Sequence, residues 1–140
     1  MSSSSDITQA EETDYSIIVP AFNEEEYLPK TLRSLNACME RIENAKGEII
    51  VVDNNSDDRT AVVAKSTGVR VVHERIRGIA MARNSGAEQA LGQVFFFVDA
   101  DTSIPPSLFQ EAYQLSRHGR VGAGGATLRF DRTHGKLVFG

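Results

Sequence analysis

The sequence has one cysteine, Cys38, no tryptophan, and no apolar run approaching the roughly 18 residues that a membrane span requires. A single cysteine excludes an intrachain disulfide and any metal site built from several thiolates, and it fits a reducing compartment. Positive charge is also scarce. Fifteen Lys and Arg stand against 19 Asp and Glu, for a net charge of −4, and the basic residues are scattered rather than clustered. Without a basic patch no nucleic-acid partner is expected. The opening residues MSSSSDITQAEETD lack a basic stretch followed by an apolar one, so residues 1–14 read as a solvated, disordered polar tail and not as a signal peptide. What is present, 41% hydrophobic and 24% charged residues in a chain of 140, is ordinary for one soluble domain.

Four segments are apolar runs without alternation: Tyr15–Pro20, Glu48–Val52, Val69–Val72 and Gln93–Val98. Strands covered on both faces read this way, and they belong to parallel sheets. Between them lie helical patterns. Leu28, Leu32, Leu35, Met39 and Ile42 form one stripe of an amphipathic helix expected over 25–44, with Gly47 as its stop. A second helix is expected over 60–66, capped by the Ser56-Asp57-Asp58 segment and ended at Gly68. A third is expected over 79–91, ended at Gly92. A fourth runs over 108–116, with Pro106 or Ser107 near its start. The order β-α-β-α-β-α-β-α predicts an α/β fold, a Rossmann-like, doubly wound, mainly parallel sheet with helices on both faces. The glycine-rich Gly119–Gly140 reads as a strand or bent hairpin, and the architecture is expected to be incomplete at its C-terminal end.

In such a sheet the carboxyl ends of the strands share one rim, where ligands bind. Pro20 fixes the exit of the first strand and Asn23 suits a turn. Glu25 and Glu26 suit helix capping, while Glu24 could accept hydrogen bonds from a ligand hydroxyl. Asp57 or Asp58 suits a helix cap. Asp53, directly after Ile49–Val52, could accept from a base N–H or a ribose hydroxyl. In Arg77–Gly86, the small residues Ala80, Ala82 and Gly86 suit close helix packing, and Arg83 could pair with an aspartate or bind a diphosphate.

The run Val94–Val98 ends in Asp99-Ala100-Asp101. Two adjacent carboxylates repel by roughly 4 kcal/mol at about 4 Å and an effective dielectric of about 20, so a cation is expected beside them. In an extended chain Asp99 and Asp101 fall on one side with the small Ala100 between them. Such oxygen ligands suit Mg²⁺ or Mn²⁺ together with phosphate oxygens; the alternative is a turn with two solvated acids.

Four motifs in this order, VPAFNEE (Val19–Glu25), VVDNNSDD (Val51–Asp58), GIAMARNSG (Gly78–Gly86) and VDADT (Val98–Thr102), resemble the family-2 glycosyltransferases of the GT-A fold. The resemblance covers about residues 15–130. It implies a nucleotide-diphosphate sugar donor, UDP- or GDP-linked, and a hydroxyl acceptor of unknown identity, with inversion at the sugar and dependence on Mn²⁺ or Mg²⁺. Pro20, Ala21, Phe22 and Glu24 would line the nucleoside pocket and Asp53 would contact the base. Arg83 would lie at the diphosphate. Asp99 would hold the ribose or a metal-bound water, with Ala100 beside the nucleotide, and Asp101 would ligate the metal directly. Metal and Arg83 would stabilise the leaving diphosphate.

The family's general base follows the strand at Val121–Phe130, so residues 131–140 are read as the start of an acceptor-binding half that this sequence does not contain. Neither Asp131 nor His134 matches the base or a further metal ligand. A non-catalytic nucleotide-binding module is the first alternative. The second is a haloacid-dehalogenase-like phosphatase with Asp99 as nucleophile and Asp101 as acid/base. That reading needs a later acidic pair, which the sequence lacks, and leaves Asp53 and Arg83 without a role. A cytoplasmic location is expected, with attachment at the cytoplasmic membrane face only through a missing portion or a partner.

Overall fold

A computed structural model describes residues 12–117 and the backbone of 127–131 and 136–139. The elements are β1 (Tyr15–Ala21), α1 (Leu28–Arg41), β2 (Gly47–Asp53), α2 (Thr60–Ser66), β3 (Arg70–His73), α3 (Ile79–Gln89), β4 (Val94–Phe97), α4 (Pro106–Arg117), β5 (Thr127–Asp131) and β6 (Lys136–Phe139). The sheet order is β3-β2-β1-β4-β5-β6, parallel except for the β5–β6 pair. The glycine-rich run expected to form a strand or bent hairpin lies outside the described residues; after it, β5 and β6 pair antiparallel. The tail expected over residues 1–14 lies outside the described residues as far as residue 11. Asp14 belongs to the fold: its carboxylate accepts the Lys46 N–H at 2.7 Å and its carbonyl accepts the Gln93 N–H at 3.0 Å.

Alternation along β1 divides the core. Tyr15, Ile17, Val19 and Ala21 face the layer of α1, α2 and α4, whereas Ile18, with Ile50 and Val52 of β2, faces α3. An aromatic cluster fastens α4, with Tyr15 and Phe96 each against Phe109 at ring-centroid distances of 5.7 and 4.9 Å. Burial pushes the Tyr15 phenol up to about 12 and the Cys38 thiol up to about 11, so both are neutral core groups.

The stripe on α1 holds, with Leu28, Leu32, Leu35 and Cys38 buried, but the helix is shorter than expected. Residues 25–27 form a turn ahead of it, and neither Glu25 nor Glu26 caps it. It ends at Ile42 rather than at Gly47, which opens β2 instead. A Cβ on Gly47 would lie 2.1 Å from the Tyr15 ring. Gly92, expected as a helix stop, lies beyond the end of α3 and its backbone packs on β1: a Cβ there would be 2.4 Å from the Tyr15 carbonyl carbon. Gly68 does end α2, with φ of 87°. β3 is an edge strand with Arg70 and His73 exposed, not a strand covered on both faces. On α3, Ala82 and Gly86 are buried against the sheet as expected, while Ala80 is exposed.

One polar knot ties the amino-terminal edge of the sheet. Glu48 accepts hydrogen bonds from the Ser16 hydroxyl at 2.6 Å, the Leu91 N–H at 2.7 Å and the Arg70 guanidinium at 2.7 Å.

Candidate functional site

The connection order reverses between β1 and β4, where open α/β sheets bind ligands at the strand carboxyl ends. A cleft of about 440 Å³ opens there. It is lined by Pro20, Ala21, Phe22 and Glu24 after β1, Asn54 after β2, Arg77, Gly78, Ile79 and Ala82 around the start of α3, and Asp99, Ala100 and Asp101 after β4. Seven of the nine residues expected at a nucleotide site thus meet in one cavity.

The two others stand outside that lining. Asp53 is buried at the end of β2, where its carboxylate accepts the Ser56 N–H at 3.2 Å and lies 3.3 Å from His73 Nδ1. Arg83 lies one residue along α3 from the lining residue Ala82, its guanidinium carbon 5.8 Å from the centre of the Phe97 ring.

The Asp99-Ala100-Asp101 segment is not extended. The Thr102 N–H donates to the Asp99 carbonyl at 3.1 Å, closing a four-residue turn, so strand alternation does not set the two carboxylates side by side. Ala100, within the turn, is buried, and Asp99, Ala100 and Asp101 all line the cleft. A polar stripe on α1 holds this turn and the chain after it. Thr31 donates to the Ala100 carbonyl at 2.6 Å, Ser34 accepts the Ile104 N–H at 3.0 Å, and the Cys38 thiol donates to the Ile104 carbonyl at 3.3 Å.

On the opposite side the loops after β1 and β2 lock together. Asn23, at φ of 54°, accepts the Asp57 N–H at 2.7 Å, and its own N–H donates to the Ser56 hydroxyl at 3.0 Å. The Glu24 N–H donates to the Thr60 hydroxyl at 2.9 Å. Arg59 is the N-cap of α2, and Asp58, one residue ahead of it, accepts the Thr60 N–H at 2.9 Å, the Thr60 hydroxyl, and the Glu25 N–H at 3.3 Å. Desolvation tends to raise the Asp58 carboxyl, but these hydrogen bonds outweigh it and hold the group below the usual range.

Sequence reasoning passed over two residues of this wall. Asn54 is 5% exposed; its amide donates to the carbonyls of Glu74 and Ile76 at 3.1 and 2.8 Å, and its oxygen accepts the Gly78 N–H at 2.9 Å. All this fixes the 74–78 loop to the end of β2. Arg77 then lies with its guanidinium 4.6 Å from the centre of the Phe22 ring, held by the Asn55 carbonyl at 2.8 Å and Asp57 at 2.9 Å. The available signals were an amide directly after a strand and an arginine directly before the glycine that opens a helix.

Among the described residues no three or more His, Cys, Asp or Glu side chains gather as a metal cluster. Asp99 and Asp101 nevertheless suit a hard divalent cation, because Mg²⁺-type ions take one or two carboxylates and complete their shell with phosphate oxygens and water. No helix among the described residues is long and apolar enough to cross a membrane.

Comparison with known proteins agrees with this geometry. The chain is 34% identical over 111 residues to an undecaprenyl-phosphate 4-deoxy-4-formamido-L-arabinose transferase of Pseudomonas syringae pv. syringae (strain B728a), covering 74% of this chain and 33% of that protein. It superposes on S. aureus TarS 1–349 in complex with UDP with a TM-score of 0.63 at 30% identity, over 76% of this chain and 33% of that one. In fold alone it also matches the mannosyltransferase PcManGT from Pyrobaculum calidifontis, with a TM-score of 0.67 at 24% identity, over 79% of this chain and 34% of that one. The fold is that of the GT-A glycosyltransferases, and the chain spans about a third of the length of these relatives. The model of the family described as glycosyl transferase family 2 matches residues 16–136, so the chain belongs to that family.

Proposed function

We propose that this chain is the nucleotide-sugar-binding part, residues 15–130, of a glycosyltransferase that moves a sugar from a nucleoside-diphosphate donor to a hydroxyl acceptor. The observation that carries the reading is the cleft at the β1/β4 reversal, which joins the Pro20–Glu24 wall to the carboxylates of Asp99 and Asp101. UDP in the TarS complex supports a nucleotide donor.

In this reading Pro20, Ala21 and Phe22 bury the nucleoside, and Glu24 accepts from a hydroxyl. Asp99 and Asp101 hold Mn²⁺ or Mg²⁺, and Ala100, having only a methyl group, leaves the nucleotide room to approach. The bound cation supplies positive charge to the departing diphosphate. Arg83 is assigned to the same end of the cleft, because it lies against Phe97, two residues before Asp99. Asp53 acts from behind the lining, by fixing the Ser56 loop. Inversion at the sugar is the outcome the family resemblance implies, and the anomer of the product by NMR checks it.

Titration calorimetry with UDP- and GDP-sugars, with and without Mn²⁺, tests the proposal. Metal-dependent binding of at least one donor is expected; a folded chain that binds none would overturn it. The phosphatase reading gains nothing from the structure, since it gives the Phe22 and Glu24 wall no part.

A further inference from the structure

Thr31 puts a hydroxyl in the buried stripe of α1. It follows Leu28 by one helical turn and precedes Leu35 by another, and like both of them it is buried, at 2% exposure. A hydroxyl there needs a partner. Its own helix offers one, since the Tyr27 carbonyl one turn back lies 3.2 Å away. The shorter bond nevertheless leaves the helix and goes to the Ala100 carbonyl at 2.6 Å. A hydroxyl has a single proton to give, and the shorter contact takes it.

The Ala100 carbonyl stands in the chain between Asp99 and Asp101, so holding it holds the backbone from which both carboxylates branch. Within the turn, the Asp99 carbonyl accepts the Thr102 N–H at 3.1 Å and the Thr102 hydroxyl lies 3.4 Å from the Asp101 carboxylate. At its other end α1 continues from the Pro20–Glu24 wall. The Leu28 N–H donates to the Glu24 carbonyl at 2.9 Å and the Thr31 N–H to the Tyr27 carbonyl at 3.1 Å. The first turn of α1 thereby links the two sides of the cleft lining, the wall after β1 and the turn after β4.

Divalent cations of the Mg²⁺ type demand closely defined ligand geometry. Groups that orient the ligands from outside are typically worth about 10–100-fold in metal affinity. We propose that Thr31 is the positioning residue of the cation site: its hydroxyl, donated to the Ala100 carbonyl, sets the placement of Asp99 and Asp101 from which a divalent cation is held. The inference rests on the nucleotide-sugar reading above, with its cation at these two aspartates.

The test is titration of the full chain with UDP and with GDP, each with and without Mn²⁺, for wild type, Thr31→Val, Thr31→Ser and Glu48→Gln. The quantity read is the gain in affinity that Mn²⁺ brings. Thr31→Val should lose about tenfold of that gain while binding metal-free nucleotide within about twofold of wild type. Thr31→Ser keeps the donor and should stay within about twofold on both counts. Glu48→Gln loses stability at the amino-terminal edge of the sheet, away from the cleft, and should keep the gain in full, which separates loss of position from loss of stability. If the valine variant does not fold, Thr31→Cys replaces it, because a thiol is a weak donor and should lose several-fold of the gain. An undiminished gain in the valine or cysteine variant, a serine variant as poor as the valine one, or an equal loss in Glu48→Gln would overturn the assignment and leave the cation reading standing. A wild type with no Mn²⁺-dependent gain removes both.

Discussion

The Thr31 hydroxyl of α1 donates a 2.6 Å hydrogen bond to the carbonyl of Ala100, 69 residues away, directly between the two aspartates of the cleft. Thr31 is 2% exposed and Ala100 is likewise 2% exposed, so water cannot replace this bond. A helix on one face of the sheet thereby sets the position of a turn at the rim.

Thr31→Val keeps the shape and removes the donor, leaving a buried carbonyl unsatisfied at a cost of about 1–3 kcal/mol. Urea unfolding followed by circular dichroism should show that loss. Thr31→Ser, which keeps the hydroxyl, should recover most of it. Equal stability of the valine variant and wild type would show that the bond does not hold the turn.

Gly86 marks where α3 touches the sheet. A Cβ there would lie 2.4 Å from Ile18 Cγ2 and 3.0 Å from Val52 Cγ2, and both of those side chains are fully buried. Alanine would gain about 1 kcal/mol of helix propensity, but forcing a methyl group into a filled contact costs about 1–3 kcal/mol. Gly86→Ala is expected to lower the thermal midpoint by a few degrees, and Gly86→Val by far more. A stabilised alanine variant would mean that the helix simply moves outward.

Glu48 gives the fold an acid limit. Desolvation raises its carboxyl, but the bonds from Ser16, the Leu91 N–H and Arg70 outweigh that and hold it below the ordinary 4.5. The unfolded chain then takes up its proton at higher pH than the folded one. The stability from Glu48 is complete above the unfolded value and disappears as pH falls through the folded value. Unfolding free energies measured between about pH 6 and 3 should fall with acid in wild type and less steeply in Glu48→Gln, which begins lower. Parallel slopes would assign the acid sensitivity elsewhere.

Element type and order were legible because each strand before residue 100 is an apolar run and each helix carries either a stripe, as with Leu28, Leu32 and Leu35, or a breaker such as Gly68. Boundaries were less so. Gly47 and Gly92 looked like helix stops, but their glycines are required by the Tyr15 ring and backbone, a contact between segments distant in sequence. Strand periodicity misplaced Asp99 and Asp101, since the turn depends on a hydroxyl supplied by α1. The cleft's composition was readable wherever a residue directly ends β1 or β4. Arg77 and Asn54 were missed because their positions depend on loops meeting across the rim, for which local sequence carries no period.

The interlocked loops after β1 and β2 limit how this protein can vary. Surface loops ordinarily tolerate added or lost residues. Here Asn23 and Glu24 are matched to Ser56, Asp57 and Thr60 by hydrogen bonds in both directions, so a length change in either loop breaks partners in the other. The two loops form one structural unit whose lengths are matched to each other. A change in the cleft's shape is therefore easier to make by exchanging a side chain on the fixed backbone than by lengthening or shortening either loop.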